Sequence, residues 1–242
     1  MLGRTALFAL LAGLVACEDL LGQLDQGQNP GEETGDGTVD GTDEGTIGDT
    51  TDGEPEPRVN PYAYVGEAHN DYLACTMEFI DMVAGDTAEE QAAIVMDVLA
   101  TRCDYPDGPE LEIAGDISLV GEELHGTGVA MGLSEAELDI LADADDILRT
   151  YEPGEALLGL EQLELTALET LGDDSAGVLA ALATARASGA YWIDDEPNED
   201  EPRRAKWWQI VLADAAGALV GSIAGPQGSI TLGVTASTLV AK

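Results

Sequence analysis

The chain has 242 residues and sets 48 Asp and Glu against nine Lys and Arg, a formal charge of −39, with lysine only at Lys206 and Lys242. A charge of that sign repels nucleic acid and anionic headgroups, so phosphate-binding roles are disfavoured and no nucleic-acid partner is expected. Hydrophobic residues still reach 45% while aromatics stay at 5%, which suffices for a helical core built from Ala, Leu and Val.

Met1-Leu2-Gly3-Arg4 brings one positive charge, Thr5 to Val15 is almost wholly apolar, and the run closes on Leu14-Val15-Ala16-Cys17. A charged start, a short apolar core and small residues at a cleavage point predict a secretory signal over residues 1–16. The apolar run is roughly half of the ~20 residues that cross a bilayer. The tetrad Leu14-Val15-Ala16-Cys17 resembles the lipobox of bacterial lipoproteins. That resemblance implies lipid attachment (palmitate among the chains) at Cys17, which becomes the first residue of the mature protein. It also implies secretion through the inner membrane and anchoring in the cell envelope, at the outer membrane. Two or more acyl chains hold a protein stably, at about 0.8 kcal/mol per buried methylene. Glu18 and Asp19 resemble the export signal of surface-exposed lipoproteins. Loss of residues 1–16 removes only Arg4, leaving eight basic against 48 acidic residues, near −40.

Residues 17–58 read as an acidic disordered tether. Gly, Thr, Asp and Glu dominate from Gly27 onward and no basic residue lies between Cys17 and Arg58. Such a segment buries too little apolar area to offset chain entropy. Fully flexible, it has an r.m.s. span of roughly 35 Å. Asp36, Asp40, Asp43 and Asp49 miss the register of an EF-hand loop, since counting from Asp36 puts Thr38 at position three and Ile47 at position twelve.

A helical domain is expected over residues 59–204. Val65, Ala68, Tyr72, Cys75, Phe79 and Val83 recur at three- and four-residue steps and predict a helix from about Tyr62 to Ala84. Asp86-Thr87 caps the next, which carries Ile94, Val95, Val98 and Leu99 on one stripe. Residues 104–133, rich in Gly and Pro, show no long periodic run. Ser134-Glu135-Ala136-Glu137 is a capping box opening a helix with Leu138, Leu141, Ala144 and Leu148. Pro153-Gly154 breaks it. Leu157, Leu160, Leu163, Ala167, Leu168 and Leu171 form the next, and Val178, Leu182 and Ala185 another beyond Gly172-Asp173-Asp174. The acidic stretch Asp194–Glu201 follows, with Tyr191-Trp192 before it and Trp207-Trp208 after. Aromatics so placed anchor loop ends on a core or mark a partner site. The fold class is therefore all-α, a helical bundle.

Cys75 and Cys103 are a disulfide candidate in an oxidising compartment. With the first helix running to Ala84, their distances from a turn at Gly85-Asp86 differ by roughly 10 Å of helix rise, beyond the ~7 Å limit on Cα separation. A bond then needs the chain to fold back, which Asp104-Tyr105-Pro106 allows. Otherwise the pair are two small buried hydrophobes.

The stretch Asn60-Pro61-Tyr62-Ala63-Tyr64-Val65-Gly66-Glu67-Ala68-His69-Asn70 resembles the opening of a group of uncharacterised bacterial secreted proteins, whose ends resemble Trp208 through Gly225. The resemblance covers two short segments and implies no activity.

Residues 205–242 form a C-terminal segment of small residues packed on the helical domain. Ala213, Gly217, Gly221 and Gly225 fall at four-residue steps, resumed at Ser229, Gly233, Ser237 and Ala241, and Asp214 is the one charge between Trp207 and Ala241. Small residues at this spacing expose a backbone groove that lets a second helix approach closely. The segment reads as a tightly packed helix or hairpin inside the domain. The alternative is a membrane-perturbing hairpin, which resembles the Gly/Ala-rich hairpin of pore-forming bacteriocins. Against it stands Asp214, at roughly 2.5–3.5 kcal/mol in a bilayer centre. Ile230, Leu232, Val234 and Ala236 alternate, so the second arm also fits a short strand.

The chain has no Gly-x-Ser-x-Gly elbow and no phosphate-binding glycine loop. Of two histidines, His125 follows Glu122 in one Glu-x-x-His, where di-iron bundles need two, and His69 has Gly66 at that place. His69 reads as a helix-face histidine and His125 as a loop histidine. No catalytic residue, metal ligand or cofactor is expected. The expected role is that of a lipid-anchored envelope protein, without assigned catalysis, bound to the membrane by its lipid and presenting a helical domain to a protein or glycan partner.

Overall fold

In the computed structural model, residues 58–106, 123–193 and 207–242 are described. Cys17, its signal, the tether up to residue 57, Glu122, the acidic stretch Asp194–Glu201 and Arg203-Arg204 lie outside them. Every regular element among the described residues is helical, and no strand occurs. The helices are α1 (Ala63–Met77), α2 (Ala88–Arg102), α3 (Leu124–Met131), α4 (Glu135–Thr150), α5 (Pro153–Leu171), α6 (Ala176–Ile193), α7 (Trp207–Gly221) and α8 (Gly225–Ala241).

Their ends follow local chemistry. Thr87 accepts from the Glu90 N–H to open α2, and Ser134 and Glu137 complete a reciprocal capping box on α4. Pro153 occupies the first turn of α5, where its missing N–H costs nothing. Gly132 and Gly172 end α3 and α5 at φ of 74° and 72°, backbone that a side chain disfavours.

α7 and α8 form a hairpin joined by a single 3-10 turn, Ser222–Ala224. Every residue of α7 from Ile210 to Leu219 is buried, as expected of a helix that is apolar all round. α6 covers one side of α7, and α1 packs on both α6 and α8. α4 and α5 turn amphipathic faces inward, adding Leu141, Leu148, Leu160 and Leu168 to the core around α6 and α7. The C-terminal segment is therefore the centre of the domain, and the described helices all belong to one compact unit, Pro57–Lys242.

The ladder divides into three jobs. A Cβ on Gly217 would overlap the Leu232 carbonyl oxygen, and one on Gly221 the Gly228 carbonyl, both well inside the 3.0 Å that real Cβ atoms keep. These two glycines let the α7 and α8 backbones touch. Gly225 packs on nothing; its φ of 81° makes the turn into α8. Gly233 faces α1, where a Cβ would sit 2.9 Å from His69 Cδ2. Ala213 is buried in α7. The second arm is helical throughout, and the strand option falls away.

Three other details differ from the sequence reading. α1 stops at Met77 and not near Ala84, because the chain turns through a 3-10 segment, Ile80–Met82, that buries Val83. α3 lies within residues 104–133. His125 is in its first turn, not in a loop.

Cys75 and Cys103 form a disulfide with Cα atoms 5.9 Å apart. The early end of α1 resolves the distance problem. Residues 78–87 are free to run back along α2, so the C-terminal ends of both helices meet. Asp104, at φ 50°, then swings Tyr105 onto α8, where its hydroxyl donates to the Gln227 carbonyl at 2.7 Å.

The segment Asn60–Asn70 is a clasp on α5 and α6. Asn60 Nδ2 donates to the Glu164 carboxylate and, at 2.9 Å, to the Leu179 carbonyl. Glu164 is held in turn by Arg186 Nε at 2.8 Å. Gly66 lies against the Ala183 carbonyl, and Asn70 Nδ2 donates to the Ala187 carbonyl at 2.7 Å.

Candidate functional site

Four helices place polar side chains at one point of the apolar core. α1 supplies His69, α7 supplies Asp214, α6 supplies Ser188 and Trp192, and α8 supplies Ser237. His69, Ser188, Asp214 and Ser237 are all 0% exposed. Regular helical burial explains the convergence. Asp214 sits mid-way along the fully buried α7, and His69 enters because Gly233 leaves room for its ring.

The Ser188 hydroxyl donates to Asp214 Oδ2. His69 Nε2 lies 3.8 Å from the same oxygen, outside ordinary hydrogen-bond range. His69 Nδ1 faces Asn70 Oδ1 at 3.2 Å. The Trp192 indole N–H and the Ser237 hydroxyl face the Asp214 carboxyl closely enough to favour its ionised form, but neither makes a bond of ordinary geometry.

Burial dominates the electrostatics. It raises the Asp214 carboxyl well above the usual carboxylate range, against the opposing pull of Ser188, Ser237 and Trp192. It also lowers His69 from 6.5 to about 4, although Asn70 and the Gly233 carbonyl favour the charged ring. Removing an ion from water without a strong partner costs more than these dipoles return. Both shifts favour the uncharged form of each group.

This is not a nucleophilic triad. Such a triad needs the serine bonded to the histidine and open to substrate. Here Ser188 bonds the carboxyl, and all three groups are shut from solvent. Among the described residues no group of three His, Cys, Asp or Glu is arranged to hold a metal ion. A shallow depression at Arg58, Val59, Gly172 and Asp173 shares no lining residue with the node.

Asp145, on α4, is another buried carboxyl. Burial raises it, while the Leu124 and His125 backbone N–H groups and Arg149 oppose that. It holds the start of α3. Trp207 Nε1 donates to the Gly189 carbonyl at 3.1 Å, and the Arg149 guanidinium lies 4.7 Å from the Trp208 ring centroid. These aromatics pin the start of α7 to α6 and α4.

Of the residues singled out in the sequence, the structure joins Cys75 to Cys103 and sets Gly217 and Gly221 against α8. It does not bring His69 and His125 together: they belong to α1 and α3. Compared with protein-family models, with curated proteins and with solved structures, the chain matches none.

Proposed function

We propose that this protein is a lipid-anchored component of the bacterial cell envelope that holds a helical domain away from the membrane and presents it to a partner. The observation that carries this reading is the Cys75–Cys103 disulfide. A disulfide clamping two structural helices suits an oxidising compartment outside the cytoplasm, which is where the Leu14-Val15-Ala16-Cys17 signal would deliver it. Among the described residues the node of His69, Ser188 and Asp214 is closed to solvent, so it serves here as a structural part of the presented domain.

The presented surface centres on α5. Leu158 and Leu165, seven residues apart on its outer side, are 68% and 39% exposed, with the exposed Glu155, Glu161 and Glu169 around them. Apolar anchors rimmed by acid suit a protein partner that brings aliphatic and basic side chains.

Cys17→Ser should abolish incorporation of labelled palmitate and move the protein out of the membrane fraction, or leave it as uncleaved precursor. A wild-type protein that takes up no fatty acid would refute the anchor. A liposome-leakage assay with wild-type protein distinguishes this role from membrane perturbation by residues 207–241. The presenting role predicts intact vesicles, and leakage would contradict it.

A further inference from the structure

The orientation of His69 is fixed from behind. Asn70 spends its Nδ2 on the Ala187 carbonyl at 2.7 Å, which turns its Oδ1 toward His69 Nδ1 at 3.2 Å. An amide oxygen only accepts, so it places the neutral ring's proton on Nδ1. The other nitrogen, Nε2, then points a lone pair at Asp214 Oδ2, 3.8 Å away. An ionised carboxylate there would set lone pair against lone pair in a site with no exposure. One proton on the Asp214 carboxyl removes the conflict and leaves the site with zero net charge.

We propose that His69 and Asp214 form a buried one-proton site, which the folded chain keeps filled and the unfolded chain empties near neutral pH. The neighbours supply no counter-ion. α6 presents Ser188 and Trp192, α8 presents Ser237 and the Gly233 carbonyl, and α1 presents Asn70; none carries a charge.

In the fold, one proton stays from about pH 4, where His69 gains a second, up to the raised pKa of Asp214; the two titrate as a unit. In the unfolded chain His69 titrates at 6.5 and Asp214 at 3.8. Between about 4 and 6.5 both states hold one proton, so His69 and Asp214 cancel and the pair adds no pH dependence. From 6.5 up to the raised pKa of Asp214 only the fold holds it, so stability falls as pH rises. The unfolding constant then grows about tenfold per pH unit from this site alone.

The test compares denaturant unfolding of the full chain with that of Asp214→Asn at pH 7.5 and 8.5. The wild-type unfolding constant should rise about tenfold more than the variant's across that unit. All other groups titrate alike in both proteins and cancel. Parallel pH dependences would overturn the proposal. Should Asp214→Asn fail to fold, isotope-edited infrared on wild-type protein carrying labelled aspartate decides the matter at pH 7.5. A carbonyl stretch from a protonated carboxylic acid, lost on unfolding, is expected; only ionised carboxylates would refute the site.

Discussion

Gly221→Leu should lower stability by about 3 kcal/mol, the upper end of the usual range for overpacking. A Cβ at this position already meets the Gly228 carbonyl oxygen, carbon and the Ser229 nitrogen, all of them backbone. A flexible side chain could swing aside, but two buried helices cannot without opening the seam that α1, α2, α3, α4 and α6 pack against. Even Gly221→Ala should be destabilising, although alanine gains about 1 kcal/mol over glycine in helix propensity. Gly154→Ala in α5, with nothing within 4 Å, is the control and should be neutral or stabilising. Gly225→Ala separates a second cause: its surroundings are open, yet φ of 81° should cost about 1–2 kcal/mol. Thermal melts of the four variants read all of this. An unchanged melting temperature for Gly221→Leu would mean that α7 and α8 do not touch through their backbones.

Breaking the Cys75–Cys103 bond should have a comparable effect. The cysteines are 28 residues apart, and closing a loop of that length in the unfolded chain is worth about 3.5 kcal/mol in the chain-entropy model. The bond also ties α1, which carries His69, to α2, whose end is held on α8 through Tyr105. The Cys75→Ser, Cys103→Ser double variant should therefore unfold at a lower denaturant midpoint than the oxidised protein, and reducing agent should shift only the wild type. A midpoint indifferent to both would deny the disulfide a structural part.

Much of this architecture is written locally. The Ser134–Glu137 box, the Thr87 cap and Pro153 mark their helices because each satisfies backbone groups within a single turn. The glycine spacing from Ala213 to Gly221 announces a close helix contact, since only small residues at that period leave a groove. The end of α1 is less legible. It is set by the burial of Val83 beyond a 3-10 turn, a tertiary demand that overrides a helical period running on through Phe79.

The polar node is the least legible part. His69 and Asp214 are 145 positions apart, and Ser188, Ser237 and Trp192 are ordinary residues for buried helices. Two signals did point there. Asp214 is the single charge in an apolar run from Trp207 to Ala241, and His69 is one of only two histidines. Gly233 gave a third sign that spacing alone misassigns: its step in the ladder reads as helix contact, whereas its absent side chain makes room for an imidazole. The segments Asn60–Asn70 and Trp208–Gly225 also meet here, through His69 and Asp214.

We propose that a lipid on Cys17 carries this disulfide-clamped domain outside the cytoplasm. Intact-mass and N-terminal peptide spectrometry of the protein recovered from membranes tests it most directly. The expected species begins at Cys17, carries acyl chains there, and holds Cys75 and Cys103 oxidised. A chain that retains residues 1–16, with a free thiol at Cys17, would contradict it.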